Sequence, residues 1–265
     1  MKNHFQEDTN VTEELIVDIS DGVQCITINR PHARNACNFA VAQAIAAALD
    51  ELDRRDDLRV AIITGAGGTF CAGMDLKAFL RGEPLPRIEG RGFAGVTMAP
   101  PKKPLIAAVE GYALAGGFEL MLACDLAVAA NNAQFGLPEV KRGLAAQAGG
   151  LLRLPRQVPR RIAMELVLTG DMMSATRAYE CGLINQLAEP GETLAAAFKL
   201  ARTIADNGPL AVMASKRVMV ESWDWPSDEM FARQLPITEP VFHSADGREG
   251  ATAFAEKRKP VWQGR

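Results

Sequence analysis

Two carboxylates and two glycine-bearing stretches of backbone carry the chemistry this sequence can do. Glu119 lies in GGFEL, three residues after Gly116, and Glu139 directly follows Pro138. The pair Gly116-Gly117 opens a helix, and the first N–H groups of a helix have no intrahelical acceptor. That end also carries the positive pole of the helix dipole. An oxygen that gains negative charge during a reaction is stabilised at such a place. In FCAGMDLK (70–77), Ala72-Gly73 can bring a second donor, the N–H of Met74, close to the same ligand. Proline suits the first helical position, so Glu139 also falls in a first turn. The two carboxylates are 20 residues apart, room for a helix, a strand and a return turn. The chain can therefore bring both to one end of a sheet. Singly, each is an ordinary helix-start acid, favoured there by the dipole. Together, beside two N–H donors, they are a set for general acid–base catalysis with oxyanion stabilisation.

The elements that must position them are legible in outline. LIVDISDGVQCITINR (15–30) reads as two strands around Asp21-Gly22, a good hairpin turn, ended by Pro31. Residues 39–53 repeat apolar side chains at helical spacing through Val41, Ile45, Leu49 and Leu52. VAIITG (60–65) and PLIAAVE (104–110) read as buried parallel strands, and LMLACDLAVAA (120–130) as a helix end followed by a third. Strands alternating with helices imply crossover units and an α/β fold. Helical patterns then dominate at 160–169, 174–181, 193–206, 209–222 and 227–235, with one further short strand expected in 182–188. We expect a core over residues 1–195 and a helical segment over 196–265. Residues 81–103, rich in Gly and Pro between two core elements, are the expected mobile stretch and pocket wall.

Other chemistries fail on their own terms. TGAGGTF (64–70) lacks the Lys-Ser/Thr of a phosphate loop and the third glycine of a dinucleotide fingerprint. His4, His32 and His243 share no ligand spacing, so no metal site is expected. No serine stands in a Gly-x-Ser-x-Gly elbow. Cys71 has no histidine near it in sequence and reads as a small buried thiol. Five scattered cysteines suit a reducing compartment. The N-terminus lacks the pattern of a signal peptide, and no apolar run reaches the roughly 20 residues that span a bilayer. A cytoplasmic protein without membrane association is the expectation. The net charge of −3 argues against a nucleic-acid partner.

NRPHARNA (29–36), ITGAGGTFCAGMDL (63–76), KPLIAAVEGYALAGGFELMLACD (103–125), AQFGLPEVKRGL (133–144), LTGDMMSATRAYECGLIN (168–185) and AFAEKRKPVW (253–262) together resemble the crotonase superfamily, the enoyl-CoA hydratase and isomerase group. The likeness covers nearly the whole chain. AGGFEL, GGLLRLP (149–155) and the ending FAEKRKPVWQGR are especially similar to carnitinyl-CoA dehydratases. The resemblance implies a ββα spiral core with a helical C-terminal segment. It implies that the N–H groups of Met74 and Gly116 form the oxyanion hole, and that Glu119 and Glu139 share one water. It places Ala33, Arg34, Ala36, Ala72, Asp75, Leu76 and Gly117 along the coenzyme A path. Phe254 and Lys257 resemble residues that reach the nucleotide end of coenzyme A, often on a neighbouring subunit. It further implies a homotrimer or a hexamer of two trimers, an acyl-CoA substrate, a place in fatty-acid β-oxidation, and no cofactor beyond the coenzyme A of the substrate.

Three departures stand out. Ala115 replaces a common first glycine, Ala146-Gln147 replaces a common Pro-Gly, and Met74 is larger than usual. They bear on substrate range. Gln147 is expected near the catalytic water. Retention of both glutamates favours a hydratase over an isomerase, since isomerases of the family typically lose the residue matching Glu119. The rival readings are a carnitinyl-CoA dehydratase-like enzyme, a silent acyl-CoA-binding member, and a hydrolase or decarboxylase on the same scaffold.

Overall fold

The computed structural model describes residues 10–12 and 14–265; His4 lies outside them. Strand β1 (Asn10–Thr12) pairs antiparallel with β2 (Leu15–Ser20), and β2 with β3 (Val23–Ile28). Asp21 and Gly22, with φ of 51° and 76°, make the expected two-residue turn that fixes their register. After a short 3-10 turn at Pro31–Ala33 comes α1 (Phe39–Arg54), capped by the Asn38 side chain, which accepts from the N–H of Val41. Its buried face is Val41, Ile45, Leu49 and Leu52, as the spacing predicts. Strand β4 (Val60–Gly65) runs parallel to β3. Helix α2 (Leu76–Leu80) and two short strands, β5 (Arg87–Ile88) and β6 (Gly92–Phe93), lead to β7 (Leu105–Val109). Then follow β8 (Tyr112–Leu114), α3 (Gly116–Leu122), β9 (Leu126–Ala130) and β10 (Gln134–Gly136). A 3-10 turn at Pro138–Arg142 precedes α4 (Gly150–Gln157), α5 (Arg160–Thr169), β11 (Met173–Ser174), α6 (Ala175–Glu180) and β12 (Gln186–Ala188). Four helices end the chain: α7 (Thr193–Ala205), α8 (Pro209–Glu221), α9 (Met230–Phe242) and α10 (Ala245–Glu256).

The main sheet has seven strands in the order β1-β2-β3-β4-β7-β9-β12, parallel from β3 onward. Both its faces are apolar, as parallel sheets require. Ala61, Ile63, Leu105 and Ala107 face the large core with α1 and α3. Val60, Ile62, Ile106 and Ala108 face Ala197 and Ala201 of α7. A second sheet, β11-β10-β8, carries the chain between the main sheet and the site.

Several expectations change. The 195/196 boundary falls inside α7, which is packed on the sheet, so the segment that leaves the core starts after Ala205. The strand within 182–188 begins only at Gln186, because Leu183 closes the turn after α6 by donating to the Ala178 carbonyl. Helix α9 starts later than 227 and runs through Pro236 and Pro240 to Phe242. Both prolines are exposed, so the carbonyls they leave unpaired meet water. Helix α10, capped by Ser244, had no clear apolar period to announce it. Residues 81–103 are not a loose stretch. Phe93, Ala94, Val96 and Thr97 are buried, and Arg91 pairs with Asp50 of α1.

Candidate active site

The site is assembled around Cys71. The N–H groups of Phe70 and Cys71 donate to the carbonyls of Glu110 and Tyr112, and Leu114 N–H returns a bond to the Cys71 carbonyl at 3.0 Å. This lays the segment after β4 alongside β8. On its other side, Cys37 N–H donates to Gly73 O at 2.7 Å and Asp75 N–H to Cys37 O at 2.9 Å. In that parallel bridge the N–H of Met74 points away from Cys37. Gly73 makes the bend with φ of +99°, a conformation only glycine takes without strain. A Cβ there would lie 3.1 Å from the Gly116 nitrogen, so the two expected donor segments are neighbours. Among the described residues, neither Met74 N–H nor Gly116 N–H has a backbone or side-chain acceptor. Gly117 permits the close approach of α3, since a Cβ on it would meet the Cys71 carbonyl at 2.1 Å.

The turn into α3 is strained. Ala115 holds φ of 52° and ψ of −127°, where glycine is at home and alanine is not. Its N–H donates to the Gly136 carbonyl at 2.9 Å, which continues the parallel pairing of Leu114 with Gly136. That pairing brings the end of β10, and with it Glu139, to the start of α3.

Glu119 is buried in α3, and its Oε1 accepts the N–H groups of Ala148 and Gly150 at 2.7 and 2.8 Å. Burial pushes its pKa up; the Gly150 and Ala148 N–H groups, and then the Arg153 and Arg87 charges, pull against that. Glu139 is half-buried in the turn after Pro138. Burial raises its pKa too, its own backbone N–H opposes, and the charge of Glu119 adds to the rise. Its Oε2 is buried with no hydrogen-bond partner among the described residues. The two carboxyls therefore sense each other: two N–H donors and the charges of Arg153 and Arg87 favour ionised Glu119, while Glu139 has its own N–H and the charge of Arg142. Burial raises both carboxyls above the ordinary carboxylate range, and the charge of Glu119 adds to the rise at Glu139.

The remaining expected site residues divide. Arg34 O accepts Ala72 N–H at 3.1 Å, which joins Ala33, Arg34 and Ala36 to the Ala72 segment. Leu76 is exposed on α2. Asp75 is otherwise engaged. Its Oδ1 caps α2 through the N–H groups of Lys77 and Ala78, and its Oδ2 pairs with buried Arg30 at 2.8 Å. Asp75 thus fixes the Ala72–Leu76 segment. Phe254 is exposed near the end of α10, and Lys257 caps that helix at φ of 54°. No hydrogen bond or ion pair among the described residues links either to Glu119 or Glu139. Cys71 is a thiol: burial raises its pKa to about 11. Among the described residues no group of three His, Cys, Asp or Glu side chains is placed to hold a metal.

A family model described as enoyl-CoA hydratase/isomerase matches residues 18–265. The chain belongs to that family. It is 42% identical to an enoyl-CoA hydratase of Mycobacterium tuberculosis over 91% of this chain and 92% of that protein. It is 45% identical to a carnitinyl-CoA dehydratase of Salmonella enteritidis over 96% of this chain and 100% of that one. The crystal structure of an enoyl-CoA hydratase from Mycobacterium marinum superposes with a TM-score of 0.94 at 59% identity, covering 96% of this chain and 100% of that one.

Within this enoyl-CoA hydratase/isomerase fold, three groups at the site escaped the sequence reading. The donors that hold Glu119 belong to Ala148 and Gly150, not to Gln147. Gly149-Gly150 before an apolar helix was the available signal. The exposed side chain of Gln147 accepts from Arg87 Nη2 through its Oε1 at 2.8 Å. Arg153 stands one turn into α4 and donates to the Thr97 carbonyl at 2.6 Å. Nothing in sequence spacing links it or Arg87 to Glu119.

Two outcomes follow from this geometry. Relief of the Ala115 strain by Ala115→Gly is worth about 1 kcal/mol, or roughly 2–4 °C in melting temperature for a chain of this size; a lower melting temperature would refute the strain. For Glu119, a raised native pKa means the native state binds the proton more tightly than the unfolded chain. Its charged form therefore costs stability above that pKa, and the cost vanishes as pH falls through the ordinary carboxylate range. Glu119→Gln keeps the acceptor for both N–H groups. It is expected to melt higher than the parent at about pH 8, with the gap closing toward about pH 4. A gap that is constant across pH would count against a raised pKa.

Proposed function

We propose that the protein adds water reversibly across the 2,3 double bond of a trans-2-enoyl-CoA. The observation that carries this reading is Glu119, buried yet held by two N–H donors and placed where it senses Glu139. Glu119 takes a proton from the water, whose oxygen bonds to C3. The electron pair of the double bond moves onto the thioester oxygen, which the N–H groups of Met74 and Gly116 stabilise. Losing one such donor typically costs about 3–4 kcal/mol. Glu139, still protonated, delivers its proton to C2 as the enolate collapses. Proton exchange with solvent then restores both carboxyls. The step needs no metal and no redox cofactor. An isomerase needs only one carboxylate to shuttle a proton, so the provision made for Glu119 favours the hydratase. A carnitinyl-CoA dehydratase would use the same groups in reverse. Ala33, Arg34, Ala36, Ala72 and Leu76 border the path we assign to coenzyme A. The reaction fits the hydration step of fatty-acid β-oxidation. No helix among the described residues is long and apolar enough to cross a membrane; a cytoplasmic location is part of the proposal.

Assembly through the C-terminal helices completes the reading. None of the described residues of α9 is buried, and Phe231, Leu235 and Phe242 are exposed on it. Exposed apolar faces of this kind mark subunit contacts. A trimer, or a pair of trimers, would cover them and bring Phe254 and Lys257 to a neighbouring site. Sedimentation at micromolar concentration is expected to give a mass of three or six chains; a monomer overturns the assembly.

With crotonyl-CoA or longer trans-2-enoyl-CoA substrates, the near-ultraviolet absorbance of the conjugated thioester is expected to fall on adding the protein. Glu119→Gln and Glu139→Gln should each lose about 10²–10⁴ in rate. The rate should rise with pH as Glu119 ionises and fall as Glu139 deprotonates. Both limbs should lie above the ordinary carboxylate range. Unchanged absorbance across chain lengths, or full hydration by Glu119→Gln, would sink the hydratase.

A further inference from the structure

Strands β5 and β6 set a cation over the site. In their antiparallel pairing, Arg87 stands directly opposite Phe93. Directly opposed residues project from the same face of a β-ribbon. The Phe93 ring rests on the start of α3, where a Cβ on Gly116 would lie 2.6 Å from it. Arg87 therefore points toward the oxyanion turn and not away from it. Its Nη2 donates to Gln147 Oε1 at 2.8 Å, across 60 residues of sequence. Gln147 immediately precedes Ala148, one of the two donors to Glu119. The Arg87 charge also reaches Glu119. Among the described residues no carboxylate forms an ion pair with Arg87, and Gln147 engages one of its five N–H donors. The same segment presents the exposed apolar side chains of Leu85 and Met98. This segment thus carries exposed apolar side chains and one guanidinium without a carboxylate partner among the described residues.

We infer that Arg87, held by Gln147, is a specificity residue that selects enoyl-CoA thioesters whose acyl chain carries a carboxylate. The inference rests on the hydratase reading above. A carboxylate is the group a guanidinium fork matches best, with two parallel hydrogen bonds. Leu85 and Met98 accommodate the methylenes between. A cationic acyl group such as the quaternary ammonium of a carnitinyl chain meets the like charge of Arg87.

The test compares kcat/KM for three trans-2-enoyl-CoA substrates of similar length: one with a neutral end, one with a terminal carboxylate, and one with a trimethylammonium end. The reading is the ratio between substrates on one enzyme, so any general loss from a changed Glu119 environment cancels. The parent is expected to prefer the carboxylate over the neutral chain by about tenfold, the value of one good charged contact at a wet site. Arg87→Met should abolish that preference, Gln147→Leu should weaken it, and Arg87→Glu should invert it toward the trimethylammonium chain. Equal ratios for parent and Arg87→Met overturn the inference while leaving the hydratase reading intact. Hydration of none of the three by the parent sinks the hydratase reading itself. Equal thermal unfolding of parent and variants confirms that a changed ratio is not a folding defect.

Discussion

A carboxylate must remain able to ionise at a buried position, and the site is arranged around that requirement. Removing Glu119 from water raises its pKa. Two backbone N–H groups aimed at one oxygen oppose the rise and leave the other oxygen for chemistry. Backbone donors are free to converge at the entry to a helix, where the first N–H groups have no intrahelical acceptor. Helix α4 begins at Gly150 for this reason. A Cβ there would stand 3.0 Å from Glu119 Cγ. Arg153, one turn later, carries the arrangement outward by binding the Thr97 carbonyl, so the wall of residues 81–103 is fastened to the helix that holds the base.

The N–H groups of Met74 and Gly116 answer to a different constraint. Their positions are set by three backbone runs lying side by side, with Cys37, the Cys71–Gly73 segment and β8 joined rung by rung. Arg30 secures the outer edge, pairing with Glu14 and Asp75 and binding the Ala36 carbonyl. The cost appears at Ala115, where an alanine occupies a glycine conformation to turn the chain from β8 into α3. The strain sits next to the Gly116 nitrogen, the donor proposed for the enolate oxygen. A turn that relaxed toward ordinary dihedrals would swing that N–H away. The neighbouring bonds from Ala115 N–H to Gly136 and from Leu114 N–H to Cys71 hold it in place.

What could be read in the sequence was local or patterned. The Asp21-Gly22 hairpin, the buried face of α1, the parallel strands and the glycine-opened helix all express their periods directly. Glu119 and Glu139 were visible because a glycine pair and a proline marked helix starts before them. Contacts made across the fold left no such mark. Asp75 read as a ligand-path residue from its segment, yet its oxygens serve Arg30 and α2. Arg87 meets Gln147 only because the β5–β6 ribbon sets it opposite Phe93, on the side of the α3 start. The prolines of α9 read as helix ends because pattern reasoning cannot know that both face solvent.

Arg87 connects the two demands on the site. Its charge favours the ionised form of Glu119, so it helps make the base. In the specificity we infer, the same charge also favours one kind of acyl chain. These effects share a single guanidinium and cannot be adjusted separately. When an acyl carboxylate binds, it neutralises part of the field that Glu119 feels, and the pKa of the base rises in the complex. A stronger base is then in place when the preferred substrate is bound than when the site is empty. Cationic acyl chains lack this linkage and add repulsion. Selectivity in this enzyme therefore enters through the electrostatics of catalysis as well as through contact with the chain, which is why a polar pair at the pocket wall can matter to a reaction whose atoms it never touches.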